Sequence, residues 1–328
     1  MTSATTTAQP QAPAAAQIQP SDAAPFRSPH HWTDNFLPTA LASDMREAVD
    51  DHFANPYKHT HEHQVWNYWY VPDMYTFLRT GPDRVIPRAL LDQFHQRLSH
   101  WAFRALGLGY STWPYLSVYV DGCHQALHND ATNGRFGYVY SLTWDDRRTE
   151  GGETIVLHEG DLYRDNLTNM MGGKGGLYEL MDPRFNRLAI FDDRMPHGVR
   201  RIDGSMNPVE GRVVLHGHIS EGDPVTQGAL PVDAVAPQIE AAALEAIGAD
   251  AASLHGPLVL RLIIAPSGEV QHRRIVLDRL ARFGGGRADG VAERALHAAS
   301  ALRFPAAEGP TEATVPVMVG GPLPWMKK

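Results

Sequence analysis

Residues His128 and Asp130 place an imidazole and a carboxylate two positions apart, shortly after the strand-like segment 115–119. Alternate side chains of an extended segment lie on one face, so this pair can point the same way while Asn129 points the other. One histidine and one carboxylate supply two ligands of a facial iron site, which a second histidine completes. The alternative interpretation, a core histidine beside a turn-forming aspartate, stays open until a third ligand is found.

Three further motifs follow in the chain. A Gly-Gly-Glu-Thr turn at 151–154 leads into an apolar segment typical of a strand. A second predicted strand at 187–192 precedes His197, which lies in a Pro-His-Gly-Val sequence. A third predicted strand begins with Gly211 and Arg212, fifteen positions beyond His197. His197 is therefore the candidate third ligand, and Arg212 is a candidate anchor for an anion.

Together with the Tyr-x-x-Gly sequence that begins at Tyr119, these motifs occur in an order that resembles the prolyl-4-hydroxylase-like branch of the 2-oxoglutarate/Fe(II) oxygenases. The resemblance covers residues 30 to 220, approximately. It implies a double-stranded β-helix, or jelly roll, and the short strands and turn residues from 115 to 220 agree with that fold. We expect a mainly β protein with flanking helices, including helices at 38–53 and 88–106.

The resemblance implies that His128, Asp130 and His197 bind Fe(II), leaving positions for 2-oxoglutarate and O2. Family members that halogenate replace the carboxylate with a small residue, so Asp130 indicates hydroxylation. Arg212 matches the residue that binds the distal carboxylate of 2-oxoglutarate through two parallel hydrogen bonds. Tyr119 either hydrogen-bonds this co-substrate or packs in the core.

Other polar residues lie close to these motifs in the sequence. Arg200 and Arg201 are nearer to His197 and compete with Arg212 for the co-substrate. His216 and His218 follow Arg212 on the same predicted strand face, where they line the same pocket or pack in the interior.

The chain of 328 residues is long enough for one large domain and one small one. We expect a disordered tail at 1–25, an oxygenase domain at 26–225, a linker or helix at 226–255, and a small β-β-α-β domain at 256–328. The last segment resembles the C-terminal domain of TonB-like proteins through its Pro-Ser-Gly-Glu-Val and Leu-Arg-Phe-Pro-Ala sequences. It is interpreted either as a structural or dimerising appendage or as a recognition unit.

The net charge of −8 comes entirely from the first 230 residues, because residues 231–328 contain ten basic and ten acidic side chains. This distribution disfavours a nucleic-acid partner, which would need a basic surface. Cys123 is the single cysteine, so no intrachain disulfide can form. No apolar run approaches the ~18–20 residues of a membrane span, and the N-terminus lacks the pattern of a signal peptide. We therefore expect a cytoplasmic protein without a membrane partner, and a homodimer stays open.

Two further segments allow more than one interpretation. His59, His61 and His63 alternate and are either a second metal site or a solvated edge beside the aromatic residues at 66–70. Those aromatic residues form either one wall of a substrate pocket or a packing cluster. An insertion at 159–186 contains a glycine-rich sequence without the Gly-Lys-Ser/Thr ending of a P-loop, and we interpret it as an active-site loop.

The sequence thus predicts a 2-oxoglutarate-dependent dioxygenase that hydroxylates an amino-acid side chain in a peptide or protein. One alternative is a hydroxylase of a free amino acid or of a small natural-product intermediate. Another, from a different class, is a non-catalytic cupin-like binding or scaffold protein. A nucleobase demethylase is disfavoured by the acidic charge of the predicted catalytic half.

Overall fold

The computed structural model of the chain describes residues 23–54, 65–146, 148–158, 177–283 and 288–320. Most of the predicted tail, the histidines at 59, 61 and 63, and the glycine-rich part of the predicted active-site loop lie outside the described residues. Among the residues that are described, no helix is long and apolar enough to cross a membrane.

Two helices cover one side of the first part of the chain. Helix α1 (Thr39–Ala54) and helix α2 (Arg88–Leu106) confirm the helices expected at 38–53 and 88–106 to within one residue. Helix α2 buries apolar residues spaced three or four positions apart, from Leu91 to Leu106. It ends at Gly107, whose φ of 70° is the left-handed conformation common after a helix.

Twelve antiparallel strands make one large, nearly closed sheet, as expected for a mainly β chain with a jelly-roll core. The strands are β1 (His30–Thr33), β2 (Asn67–Val71), β3 (Tyr75–Thr80), β4 (Tyr110–Ser111), β5 (Tyr115–Tyr119), β6 (His124–His128), β7 (Phe136–Ser141), β8 (Thr154–Leu157), β9 (Tyr178–Met181), β10 (Arg187–Asp192), β11 (His197–Val199) and β12 (Arg212–Ser220). Their order is β1-β10-β7-β12-β5-β3-β6-β11-β8-β9, with β2 paired to β3 and β4 paired to β12.

This strand order determines which motifs meet. Strand β11 lies between β6 and β8, so His197 comes beside His128 although 69 positions separate them (197 − 128). Strand β12 lies beside β5, so Arg212 comes opposite Tyr119. Long-range pairing in the sheet therefore brings together residues that the sequence keeps apart.

A second sheet is formed by the last hundred residues or so. It contains β13 (Val225–Gly228), β14 (Leu254–Ile264), β15 (Val270–Asp278), β16 (Ala281–Arg282) and β17 (Thr311–Val319), in the order β13-β17-β14-β15 with β16 paired to β14. Helix α3 (Val232–Ile247) and helix α4 (Val291–Ser300) pack together, and their buried residues join a core with this sheet. The segment 226–255, expected to be a linker or helix, thus contributes a strand and a helix to this unit.

The hydrophobic core of the first sheet includes residues of the second sheet. Val259, Val276 and Leu277 of the second sheet belong to the core cluster of the first. Asp192 at the end of β10 is 1% exposed and binds Arg194 at 2.5 Å and Arg279, which follows β15, at 2.9 Å. A buried network of charges therefore joins the second unit to the segment that leads into His197.

Candidate metal and anion site

His128 and His197 are cross-strand neighbours on β6 and β11, with ring centroids 4.5 Å apart. The Nδ1 atom of His128 lies 2.8 Å from the carbonyl oxygen of Ala126, and that of His197 lies 2.9 Å from the carbonyl oxygen of Met195. A carbonyl oxygen only accepts hydrogen bonds, so both Nδ1 atoms donate. When the rings are neutral, this places their proton on Nδ1 and leaves the Nε2 lone pairs available for a metal.

Asp130 completes the group. Its Oδ2 atom lies 3.5 Å from Nε2 of His197 and 3.9 Å from Nε2 of His128. Its Oδ1 atom accepts a hydrogen bond of 3.0 Å from the Asn133 amide, which orients the carboxylate. Burial opposes the ionised form, but the hydrogen bond with His197 and the charges of the two histidines lower the pKa of Asp130 below its ordinary value.

The expected geometry of this pair is corrected in one respect. The sequence suggests that His128 and Asp130 share a face of one strand, but β6 ends at His128 and Asp130 lies beyond it. The Asp130 backbone amide donates to the carbonyl oxygen of Asp193, which follows β10. The carboxylate therefore reaches the imidazoles from a turn held by a distant segment. One ligand atom from each of the three residues lies within 4.8 Å of the others.

Arg212 lies in the same cavity and is 1% exposed. Its guanidinium stacks over the Tyr119 ring at 4.7 Å, and its Nη2 atom donates to Thr154 Oγ1 at 3.1 Å. Burial raises the pKa of Tyr119 to about 12, so its hydroxyl is protonated and can donate. Gly152 has a φ of +80°, and a Cβ there would lie 3.2 Å from Arg212 Cδ, which gives the Gly-Gly motif a steric role.

The competing arginines lie elsewhere. The Arg200 side chain is 55% exposed and pairs with Glu153, and the Arg201 side chain is 59% exposed and pairs with Asp203. Neither lines the cavity.

The cavity has a volume of about 670 Å3. All five residues singled out as ligands or co-substrate contacts line it: His128, Asp130, His197, Arg212 and Tyr119. His216 and His218 line it as well. Burial and the charges of Arg79 and Arg212 lower the pKa of His216 to about 3, so His216 is neutral, and its Nε2 atom is hydrogen-bonded to Ser117.

His218 is held by a carboxylate. Its Nδ1 atom lies 3.0 Å from Asp193 Oδ2. Together with Asp130 these two residues form a second group of close ligand atoms beside the first. Asp130 belongs to both groups.

The sequence alone did not identify the roles of Thr154 and Arg79, which line the cavity, or of Asp193, which contacts two of its lining residues. Thr154 belongs to the Gly-Gly-Glu-Thr motif, but its contact with Arg212 spans 58 positions and depends on the fold. Asp193 is buried and supports both His218 and the Asp130 backbone. Arg79 lies on β3 in an apolar segment without any recognisable motif. Of the aromatic segment at 66–70, Trp69 lines the cavity.

Comparison with known proteins gives limited similarity. No protein-family model and no curated protein matches the chain. Among solved structures, a prolyl hydroxylase from Trichoplax adhaerens in complex with a peptide fragment of the hypoxia-inducible-factor oxygen degradation domain has a TM-score of 0.38 and 15% identity, covering 57% of this chain and 81% of that one. A prolyl-4-hydroxylase from Pseudomonas putida has a TM-score of 0.39 and 16% identity, covering 59% and 92%.

Proposed function

We propose that this protein is an Fe(II)- and 2-oxoglutarate-dependent dioxygenase that hydroxylates an amino-acid side chain in a peptide or protein. The supporting observation is the convergence of His128, Asp130 and His197 in the cavity that also contains the Arg212 guanidinium. The overall reaction consumes 2-oxoglutarate, O2 and a C–H bond and yields succinate, CO2 and an alcohol.

The three side chains fit a ferrous ion by their chemistry. Two imidazoles with available Nε2 atoms and one carboxylate are the donor set of the facial sites that leave positions open for substrates. When bound there, iron would activate O2 for the conversion of the C–H bond. The protein's contribution is to hold both imidazoles in one tautomer through the Ala126 and Met195 carbonyls and to orient the Asp130 carboxylate through Asn133.

We assign the binding of the distal carboxylate of 2-oxoglutarate to Arg212. Its planar guanidinium can form two parallel hydrogen bonds with a carboxylate, and burial strengthens such charged contacts. The hydroxyls of Thr154 and Tyr119 lie beside it as further donors. Neutral His216 adds no charge to this part of the cavity.

Arg212→Lys is expected to raise the KM for 2-oxoglutarate by about 10- to 100-fold. Lysine keeps the charge but cannot reproduce the planar pair of hydrogen bonds, each of which contributes about 1.5–3 kcal/mol when charged. Steady-state kinetics with varied 2-oxoglutarate measures the change. Arg201→Lys is the matched control, because Arg201 is exposed and lies outside the cavity. An equal rise in KM for both variants would refute the assignment.

The proposed function itself is tested by succinate release. The protein is supplied with Fe(II), 2-oxoglutarate, O2 and a panel of peptides and free amino acids, and succinate and oxygenated products are measured by mass spectrometry. We expect metal-dependent succinate formation that a chelator abolishes, with one class of substrate gaining 16 mass units as expected for one added oxygen atom. Products confined to free amino acids would favour the small-molecule alternative. Metal binding without any 2-oxoglutarate turnover would favour the binding or scaffold protein.

A further inference from the structure

A second guanidinium faces the same cavity as Arg212. Arg79 lies on β3, where it pairs with Ser117 of β5, and Ser117 in turn pairs with Val214 of β12. Cross-strand partners lie on the same face of a sheet, and Val214 is two residues from Arg212 on its strand. Arg79 and Arg212 therefore lie on the same face of the sheet. Arg79 is half-buried whereas Arg212 is almost fully buried, and both line the cavity. The cavity therefore has one cation in its depth and another nearer to solvent.

Two aromatic rings hold the Arg79 side chain. Its guanidinium carbon lies 3.5 Å from the centroid of the Trp69 ring and 4.3 Å from that of the Tyr115 ring. Trp69 comes from β2 on one side of β3, and Tyr115 comes from β5 on the other. Ring faces stabilise a guanidinium through its π surface and leave the in-plane N–H groups for another partner.

Within the described part of the chain, the Arg79 guanidinium makes no hydrogen bond and no salt bridge. Burial lowers its pKa, and the only groups that act in the opposite direction are the phenols of Tyr115, Tyr119 and Tyr75. No carboxylate of the described chain therefore compensates its charge. Three other arginines that stack on rings each have such a carboxylate: Arg88 with Asp92, Arg187 with Asp34, and Arg261 with Glu312.

We propose that Arg79 binds a carboxylate of the primary substrate, while Arg212 binds 2-oxoglutarate. This inference rests on the function proposed above. A carboxylate matches the planar fork of one guanidinium, whereas a phosphate dianion would call for more positive charge than Arg79 provides at this end of the cavity. Neutral His216 beside it supplies none. The cavity volume of about 670 Å3 is within the range of about 300–1,000 Å3 that small-molecule sites occupy.

Two sources of a carboxylate fit this site. One is the free α-carboxylate of an amino acid or of a chain end, and the other is an aspartate or glutamate side chain within a peptide. Calorimetric titration distinguishes them with three sets of probes: N-acetyl amino acids, the corresponding N-acetyl amino-acid amides, and N-acetyl-aspartate and N-acetyl-glutamate α-amides. The protein is loaded with Mn2+ and 2-oxoglutarate, so that no turnover occurs and Arg212 is already engaged.

Probes of at least one carboxylate-bearing set are expected to bind, and their neutral amides are expected to bind about 10- to 100-fold more weakly. Arg79→Gln is expected to produce the same loss. Arg88→Gln is the matched control, because Arg88 also stacks on a tryptophan, Trp113, but pairs with Asp92 and does not line the cavity. Binding of the first set alone indicates a free α-carboxylate, and binding of the third indicates an acidic peptide side chain.

Several results would overturn the assignment. For the wild-type protein, these are equal affinity for acids and amides, or failure of every carboxylate probe to bind. For Arg79→Gln, these are unchanged affinity for the carboxylate probes, or a loss of 2-oxoglutarate binding while probe binding is kept. The titration is repeated on metal-free protein. Carboxylate binding that depends on Arg79 in a protein without succinate release would refute the oxygenase proposal and leave the anion site standing.

Discussion

His128→Ala is expected to reduce succinate release to below about one-hundredth of the wild-type rate and to weaken Mn2+ binding by about 100-fold or more. The variant removes one of three ligand atoms that lie within 4.8 Å of each other, and alterations of the supporting contacts of a metal site alone cost 10- to 100-fold in affinity, approximately. Calorimetry with Mn2+ gives the affinity without turnover, and a coupled succinate assay gives the rate.

This loss should not come from unfolding. The His128 side chain is 25% exposed and faces the cavity, so its truncation is expected to change the free energy of unfolding by no more than about 1 kcal/mol. His124→Ala is the control: His124 lies on the same strand, and its Nδ1 atom is also near a backbone carbonyl, that of Gly122, but it does not line the cavity. Its metal affinity and its rate should match the wild type.

The second group of close ligand atoms, from Asp130, Asp193 and His218, provides a result that would contradict the assignment of His128 as a metal ligand. If Mn2+ binds His128→Ala normally but is lost in His218→Ala, the metal is held by Asp130, Asp193 and His218. Such a result would leave His197 without its proposed role.

The sequence predicted the groups of this cavity better than their arrangement. Motif spacing singled out His128, Asp130, His197 and Arg212, because each lies in or beside a strand with a recognisable turn or apolar pattern. It could not predict that β11 lies between β6 and β8, since strand order is a long-range property. The position of Asp130 beyond the end of β6, held by Asp193, has the same cause.

The role proposed for Arg79 could not be predicted from its local sequence. It lies in the segment Tyr75–Thr80, which reads as an ordinary buried strand. Its environment comes from Trp69 on one neighbouring strand and Tyr115 on the other, at sequence separations of 10 and 36 (79 − 69 and 115 − 79). Sequence reasoning identified the aromatic segment at 66–70 as a wall or as packing but had no means of placing a cation against it.

The ion pairs between the two sheets could not be predicted from the sequence either, because their charged residues come from distant segments. Asp192 lies five positions before His197, and its carboxylate binds Arg194 and Arg279. Arg194 also donates to the carbonyl oxygens of His255 and Arg279. The second sheet thus contacts the segment that leads into a proposed metal ligand.

Asp192→Ala is expected to lower the free energy of unfolding by about 3–5 kcal/mol. The substitution removes the carboxylate that offsets the buried guanidinium charge of Arg279, whose side chain is 4% exposed, and removing one partner of a buried ion pair carries this cost. Urea denaturation measures the change. Asp92→Ala is the control, since Asp92 pairs with Arg88 at 2.8 Å but is 56% exposed, and its loss should cost less than about 1 kcal/mol. Equal effects of the two variants would contradict the prediction.

The same carboxylate should make stability depend on pH in the acid range. Burial favours its neutral form, but hydrogen bonding to Arg194 and the charges of Arg194 and Arg279 outweigh that effect and lower the pKa of Asp192 from 3.8 to about 2. A carboxyl with a lowered pKa stabilises the fold at pH values above 3.8, and this stabilisation is lost as the pH falls from 3.8 towards 2. The shift corresponds to about 2 kcal/mol. The difference in unfolding free energy between the wild type and Asp192→Ala should therefore be constant from pH 5 to 7, approximately, and shrink below pH 3.8. A difference that stays constant down to pH 2.5 or so would show that Asp192 is not held ionised by these arginines.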